Sequence, residues 1–310
     1  MDIPEALVKI DGKPIEKLID VVSKGIGTLY RPRQIRKEAD AQAYAIKVVG
    51  KAQAEADAEK RLIEIETEDR ICRRIAAKEI RRQENIDSIV ELAANNLEGE
   101  TVSEKPVDED WATRFFEIAQ DISREDMKII WARILAKEVE KPSTFSLRTL
   151  EVLRNISTEE AKTFEKVASL VLCQSELFIY NNPDELEKLG IRYVDLALLT
   201  ECGLMQSGDL VSKNYRPLPD KKVTSGIIYG KFVILLTLPM SSPIVDIPVV
   251  LLTKAGQDLF ELIDPEPNME YMKALAIAIK TKNTGATVQY SEWITKDNGK
   301  VEFKTPMVDL

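Results

Sequence analysis

A long run without proline constrains this chain more than any other feature. Between Arg33 and Leu97 there is no proline, and Gly50 is the single glycine. Alanine, glutamate, lysine, arginine, glutamine and isoleucine dominate the run, and all of these residues are compatible with a helix. If unbroken, a helix of this length extends about 100 Å. The sequence therefore predicts a long helical segment over residues 32–98, with Gly50 as the expected break.

Such a helix needs partners to be stable, from the same chain or from other copies. The apolar residues of its second half recur at helical spacings and indicate where partners pack; they are Leu62, Ile65, Cys72, Ile75, Ile86 and Ile89. Because they do not keep a strict heptad, a simple two-stranded coiled coil is not demonstrated. We expect a homo-oligomer that assembles through this helix.

Residues 1–31 predict a short amphipathic helix with Pro14 in its first turn. Its apolar stripe consists of Ile15, Leu18, Ile19, Val22, Ile26 and Leu29. The segment is rich in lysine, so one interpretation places it on an anionic membrane surface. The alternative, docking on a partner helix or a neighbouring subunit, is favoured because Tyr30 is the one aromatic residue at the edge of the stripe. No secretory signal opens the chain, which predicts a cytoplasmic protein, membrane-peripheral if this helix meets lipid.

The middle of the chain predicts a linker at 99–110 and a helical bundle at 111–180. Ser123 is the expected cap of one helix and Pro142 its end. Ser157 and Glu160 have the spacing of a capping box at the start of another helix.

From residue 181 onward, short helices alternate with strand-like segments. The order over 181–265 is helix, helix, two strands and a final helix, which is the order of a winged-helix variant. Phe232–Leu252 is apolar, but its prolines favour a buried hairpin over a membrane span. Residues 266–310 predict a helix and a β-hairpin turning at Asp297–Gly299. The expected fold is mainly α with a small α+β part: a long N-terminal helix, a helical bundle and a C-terminal winged-helix-like domain.

Charge bears on the choice of partner. The chain has 43 lysines and arginines against 52 acidic residues, a net charge of −9, and this balance disfavours nucleic acid. Cations between Arg70 and Arg82 interleave with acidic residues, which is typical of an ion-paired helix face. One loop remains suited to phosphate contacts, through Lys213, Arg216, Lys221 and Lys222. We expect protein contact ahead of DNA contact for the winged-helix-like domain.

The absence of histidine argues against an enzyme, because it removes histidine general bases, histidine-activated nucleophiles and imidazole metal sites. The three cysteines are far apart, with neither disulfide nor zinc spacing. No spacing of acidic or lysine residues stands out from the charged helix faces. The sequence therefore predicts no catalytic residues, no cofactor, no metal and no small-molecule substrate.

Several phrases resemble a bacterial, often prophage-encoded family known only as a domain of unknown function. They are GIGTLYRPRQIRKEADAQA, FSLRTLEVLRNISTEEAKTF, and LLTECGLM paired with LLTKAG. The block EDMKIIWARILAKEVEKPSTFSLRTLEVLRNIS is similar in outline to the abortive-infection alpha proteins. The second resemblance implies a phage-defence context, and neither resemblance supplies catalytic residues.

Overall fold

The computed structural model describes residues 12–28, 30, 61–207, 211–263, 265–295, 301–303 and 306–310. It divides into two compact units, Met1–Leu150 and Glu151–Leu310. The division falls inside a helix, Leu147–Asn155, rather than at the linker predicted for 99–110. That linker connects two helices of the first unit.

The N-terminal unit is helical in its described residues. Its helices are α1 (Lys13–Ile26), α2 (Arg61–Asn96), α3 (Glu109–Ala119), α4 (Glu125–Glu140) and the beginning of α5 (Leu147–Asn155). Residues 32–60 of the predicted long helix, Gly50 included, lie outside the described residues, and α2 accounts for the rest.

Local signals explain where these helices begin and end. Pro14 lies in the first turn of α1, and Gly27 ends that helix in the left-handed conformation at φ 70°. The Asp108 side chain caps α3 by accepting from the backbone N–H of Trp111. The predicted Ser123 cap is wrong, because α4 begins one residue later, with Arg124 at the N-cap and no side-chain cap. The α4 helix ends at Glu140, shortly before Pro142.

An aromatic cluster from α3 and α4 forms the centre of the N-terminal core. The Phe115 ring lies 5.1 Å from Trp111 and 5.2 Å from Trp131, centroid to centroid. Leu18 of α1 and Ile89 of α2 are fully buried as well. Each of the helices α1 to α4 thus contributes apolar side chains to one core.

The C-terminal unit is built around one nine-stranded sheet. Its helices are α6 (Thr158–Ala168), α7 (Pro183–Lys188), α8 (Tyr193–Glu201), α9 (Lys254–Phe260) and α10 (Met269–Lys282). Its strands are β1 (Leu172–Cys173), β2 (Leu177–Tyr180), β3 (Ser212–Tyr215), β4 (Val223–Tyr229), β5 (Phe232–Leu238), β6 (Val245–Leu251), β7 (Thr287–Thr295), β8 (Val301–Phe303) and β9 (Val308–Asp309). The capping box at Ser157 and Glu160 starts α6 as predicted.

The sheet order is β3-β6-β2-β1-β4-β5-β7-β8, with β9 also paired to β7, and all of its pairs are antiparallel. The hairpin predicted within Phe232–Leu252 is wrong in its pairing, since β5 pairs with β4 and β7, whereas β6 pairs with β2 and β3. The β7–β8 pair is antiparallel, and the predicted turn between these strands lies outside the described residues.

Tyrosines join the sheet to α10. The buried Tyr271 hydroxyl donates to the carbonyl oxygen of Tyr180 at 3.2 Å and accepts from the Tyr180 N–H. Tyr229 donates to the Ser169 carbonyl at 2.6 Å and accepts from the Asn268 N–H at 2.7 Å. Burial raises the pKa of both phenols, so they remain protonated donors.

The fold is mixed α+β, about 51% helix and 18% strand. The helices α7, α8 and α9 lie in the order predicted for 181–265, but four strands, β3 to β6, separate α8 from α9 where two were predicted. These strands are members of a nine-stranded sheet and do not form a separate two-stranded wing. The helical bundle predicted at 111–180 is wrong in its last part, because β1 and β2 lie within this range, and its helices α3 and α4 belong to the first unit while α6 belongs to the second.

Candidate interaction surfaces

The long helix α2 has a packed part and an exposed part. Near its C-terminal end it packs on α4, with further contacts to α1 and α3. Ile86 and Ile89 from the predicted assembly stripe are buried there, within the chain's own core. From Arg70 to Arg81 every residue of α2 is exposed, including Cys72 and Ile75 of the stripe. Leu62 and Ile65 belong to α2, but their side chains lie outside the described residues.

The exposed part continues the face that is buried further along. At 100° per residue, positions 71, 75, 86 and 89 fall within roughly 60° of the helix circumference. Ile71 and Ile75 are 42% and 54% exposed, whereas Ile86 and Ile89 are buried. We call Ile71, Cys72 and Ile75 the open stripe. The same helix face is thus buried against the chain's own helices at Ile86 and Ile89 and exposed at Ile71 and Ile75.

Polar contacts fix the point where α2 leaves the core. Arg82 donates to both carboxylate oxygens of Asp121, at 2.8 and 3.0 Å, and to Glu79 at 3.2 Å. This hydrogen bonding lowers the pKa of the Asp121 carboxyl below its usual value. One turn on, the buried Asn85 amide donates to the Gln120 carbonyl at 2.9 Å. The turn between α3 and α4 therefore holds α2 just beyond the open stripe.

The predicted N-terminal stripe lies inside the N-terminal unit. Ile15, Leu18 and Val22 are buried, and α1 packs on α3, α4 and α2. Ile19 and Ile26 are half-buried, and Leu29 lies outside the described residues. The apolar face is therefore occupied by helices of the same chain and is not a free membrane-binding face. Sequence periodicity identifies such a face but does not say what covers it.

The four predicted phosphate-contact residues differ in their surroundings. Lys213 pairs with Glu176 at 3.0 Å and lies over the Phe178 ring, 5.1 Å from its centroid. Arg216, Lys221 and Lys222 are exposed in the connection that follows β3. Among the described residues, no ion pair joins these three cations to a carboxylate. Lys213 therefore has a structural partner, and the other three form the accessible basic group.

Within the described residues, each unit has a shallow cleft. The N-terminal cleft, about 440 Å³, is bordered by polar side chains of Lys24, Glu79, Arg82, Gln83, Glu117 and Gln120. The C-terminal cleft, about 360 Å³, is bordered by polar side chains of Tyr180, Asn182, Glu185, Lys188, Glu270 and Lys273. Several of these charges are engaged by neighbours; for example, Lys24 pairs with Asp20 and Lys188 with Glu185.

Other chemistry-bearing groups do not converge. In the described parts of the chain, no three cysteine or acidic side chains gather closely enough to hold a metal ion. Burial raises the pKa of the Cys173 and Cys202 thiols, which disfavours their reactive thiolate forms. None of the described helices is both long and apolar enough to cross a membrane.

Comparison with protein families gives a match over residues 69–276, to a family described as a protein of unknown function, DUF2806. The chain belongs to the DUF2806 family. The predicted membership of a domain-of-unknown-function family is thus confirmed, and the DUF2806 description contains nothing on bacterial or prophage context. No significant match exists among curated proteins or among solved structures. The DUF2806 match includes the open stripe of α2 and the basic group after β3, and it begins after α1.

Proposed function

We propose that this chain is a non-enzymatic protein that assembles with other copies of itself through α2. In this proposal the C-terminal unit, predicted to be winged-helix-like, binds a partner or senses a trigger. The resemblances noted above suggest bacterial phage defence or prophage biology as the context. The lack of histidine supports a non-enzymatic role, because the commonest general base is missing from the whole chain.

The observation that carries the assembly proposal is the open stripe. Ile71 and Ile75 are exposed on the same face of α2 that is buried in the chain's own core at Ile86 and Ile89. Full burial of an exposed isoleucine contributes about 1.5–3 kcal/mol, so covering Ile71 and Ile75, which are about half exposed, contributes roughly half of that each. A second α2, with the same stripe and interleaved charges, is a suitable cover, because homo-oligomers commonly pair identical surfaces. The occupant proposed for the stripe is therefore another copy of this chain.

The test is the native mass of the full-length chain by light scattering after size exclusion. We expect an oligomer, and we expect the double variant Ile71→Glu, Ile75→Glu to shift to the mass of a single chain. Glutamate keeps helix propensity close to that of good helix formers, so loss of assembly will not reflect loss of the helix. Circular dichroism checks that helix content is unchanged.

Ile80 offers a matched control. It is 61% exposed on the same helix but lies nine residues from Ile71, which places it on the opposite face. Ile80→Glu should keep the wild-type mass. A wild-type chain that is monomeric at every concentration, or a double variant that remains oligomeric, contradicts the proposal.

Deletion of residues 1–98 is a poor test of the same idea. It removes Leu18, Val22 and Ile89, which are fully buried in the N-terminal core. The truncated chain is expected to unfold in that unit whether or not α2 mediates assembly. Substitutions in the exposed part of α2 avoid this problem.

A winged-helix DNA-binding regulator is the alternative for the C-terminal unit. On α8, the helix expected to enter a groove, Arg192 is bound to Asp195, with donor–acceptor distances of 3.2 and 3.4 Å. Tyr193 and Val194 at the start of that helix are exposed and apolar. Reading helices normally present free cations and amides to DNA, so these contacts favour a protein partner.

A further inference from the structure

Two connections of the C-terminal sheet run side by side. Residues 216–222 join β3 to β4, and residues 239–244 join β5 to β6. The pairs Tyr215↔Val245 and Val223↔Leu238 hold their ends together. At the midpoint, the Ser241 N–H donates to the Leu218 carbonyl at 3.0 Å. We call residues 216–222 and 239–244 the sheet corner.

The sheet corner is held in place from inside the unit. The buried Asn283 side chain, at the end of α10, donates to the Ser242 hydroxyl at 2.9 Å and to the Pro243 carbonyl at 2.8 Å. The corner also contains four prolines, at 217, 219, 239 and 243. Proline fixes φ and removes an N–H donor, so the corner loses little entropy on binding and resists addition of another strand.

The sheet corner presents aliphatic side chains to solvent. Leu218, Met240 and Ile244 are 41%, 54% and 52% exposed. Exposed apolar side chains that are grouped on a protein surface are typical of a site that binds a protein or a membrane. The hydrogen bonds described above place the two connections that carry them side by side.

The sheet corner is also locally basic. It contains the exposed cations Arg216, Lys221 and Lys222 and a single acidic residue, Asp220. The complete chain has a net charge of −9, so this positive group opposes the overall sign. An anionic partner is therefore attracted to this corner, whereas the negative charge of the rest of the chain repels it. The corner is thus the favoured place of contact for such a partner.

We propose that the sheet corner docks on an anionic lipid bilayer. Three aliphatic side chains next to three cations match an interface where acyl chains lie beneath phosphate groups. A nucleic acid would use the cations but leave Leu218, Met240 and Ile244 facing a polyanion. The proposal does not rest on assembly through α2, and it involves residues other than the N-terminal stripe, of which Ile15, Leu18 and Val22 are buried.

The experiment is co-sedimentation of the full-length chain with phosphatidylcholine vesicles, with and without phosphatidylserine. A parallel run without vesicles corrects for protein that sediments by self-assembly. We expect binding to the vesicles that contain phosphatidylserine, and weaker binding as salt rises. Lys221→Gln combined with Lys222→Gln should lower the partition coefficient about 25-fold, because each lysine near an anionic leaflet contributes roughly fivefold.

A second variant tests the apolar part of the sheet corner. Leu218→Ser, Met240→Ser and Ile244→Ser together should lower vesicle binding by roughly tenfold or more while keeping the charge. The matched control is Tyr193→Ser with Val194→Ser, which removes two exposed apolar side chains of α8 and should leave binding unchanged.

Three results would overturn the proposal. They are no binding to phosphatidylserine vesicles at low ionic strength, equal binding by all variants, and binding of duplex DNA in place of vesicles. Native masses are measured for the same variants and are expected to equal that of the wild type. Failure of lipid docking is thereby distinguished from failure of assembly, which depends on Ile71 and Ile75.

Discussion

Glu138 is a buried carboxylate that organises the turn after α4. One of its oxygens accepts from the Ser143 N–H at 2.5 Å, and the other accepts from Thr144 and Phe145 at 3.1 and 3.0 Å. Ser143 has φ 73°, a left-handed conformation that residues other than glycine adopt infrequently. The carboxylate thus supplies the partners of three successive backbone N–H groups, which is why a charged residue is retained in the core.

We expect Glu138→Gln to lower the free energy of unfolding by about 1–3 kcal/mol. The new amide NH₂ group cannot accept a hydrogen bond, so at least one of the three backbone N–H groups loses its partner. Urea denaturation at neutral pH measures the change. Glu117→Gln, on the exposed side of α3, removes the same charge without affecting this turn and serves as the control. A loss equal to that of the control would contradict the role assigned to Glu138.

The packing of α1 on α3 depends on Gly25. A Cβ at this position would lie 2.3 Å from Cδ2 of Phe116 and 2.8 Å from the carbonyl oxygen of Ala112. Both distances are shorter than van der Waals contact. The Ala112 carbonyl belongs to the backbone of α3, so it cannot move away as a flexible side chain would. Glycine here therefore permits a close approach of the two helices.

Gly25→Ala should destabilise the chain by about 1 kcal/mol. Overpacking costs roughly 1–3 kcal/mol, and the alanine regains up to about 1 kcal/mol of helix propensity. Chemical denaturation of Gly25→Ala, of Phe116→Val and of the double variant forms a cycle. The double variant should lose less than the sum of the single losses, because the smaller side chain makes room for the added methyl group. Stabilisation by Gly25→Ala alone would show that the helices are not in close contact.

Helix boundaries were predictable where the signal is local. Pro14, Pro142 and the Ser157–Glu160 capping box act through neighbouring backbone atoms, and each lies at the expected helix end. Ser123 did not cap α4; its hydroxyl lies 3.4 Å from the Asn85 amide, on another helix. The contact between Ser123 and Asn85 competes with the local cap. Because Asn85 is distant in sequence, the spacing of residues around Ser123 does not predict this contact.

The apolar strands were predictable as elements, but their partners were not, and β1 and β2 lie in a segment predicted to be helical. β5 and β6 are both apolar and β-branched, so their existence follows from composition. Their separation in the sheet depends on β2, β4 and β7, which are distant in sequence. The sheet corner was also only partly predictable from the sequence. Its three cations lie within one connection, residues 216–222, whereas Met240 and Ile244 belong to the other connection, residues 239–244. Likewise, the helical spacing of Ile75 and Ile89 predicts the same burial for both residues. In the structure Ile89 is buried and Ile75 is exposed.

Two separate cores imply that the chain does not unfold in one step. Leu135 is fully buried in the N-terminal unit, and Leu236 is fully buried in the sheet of the C-terminal unit. Chains with more than one independently packed unit commonly depart from two-state behaviour. The tryptophans allow the units to be followed separately, because Trp111 and Trp131 lie in the first unit and Trp293 in the second.

In a Trp293→Phe background, tryptophan fluorescence reports the N-terminal unit alone, while circular dichroism reports both units. Leu135→Ala should lower the stability measured by fluorescence by about 2–5 kcal/mol, the usual cost of such a cavity. Leu236→Ala should leave the fluorescence transition in place and shift only part of the dichroism transition. If both substitutions shift both signals equally, α5, which contains the division after Leu150, couples the two units into a single cooperative structure.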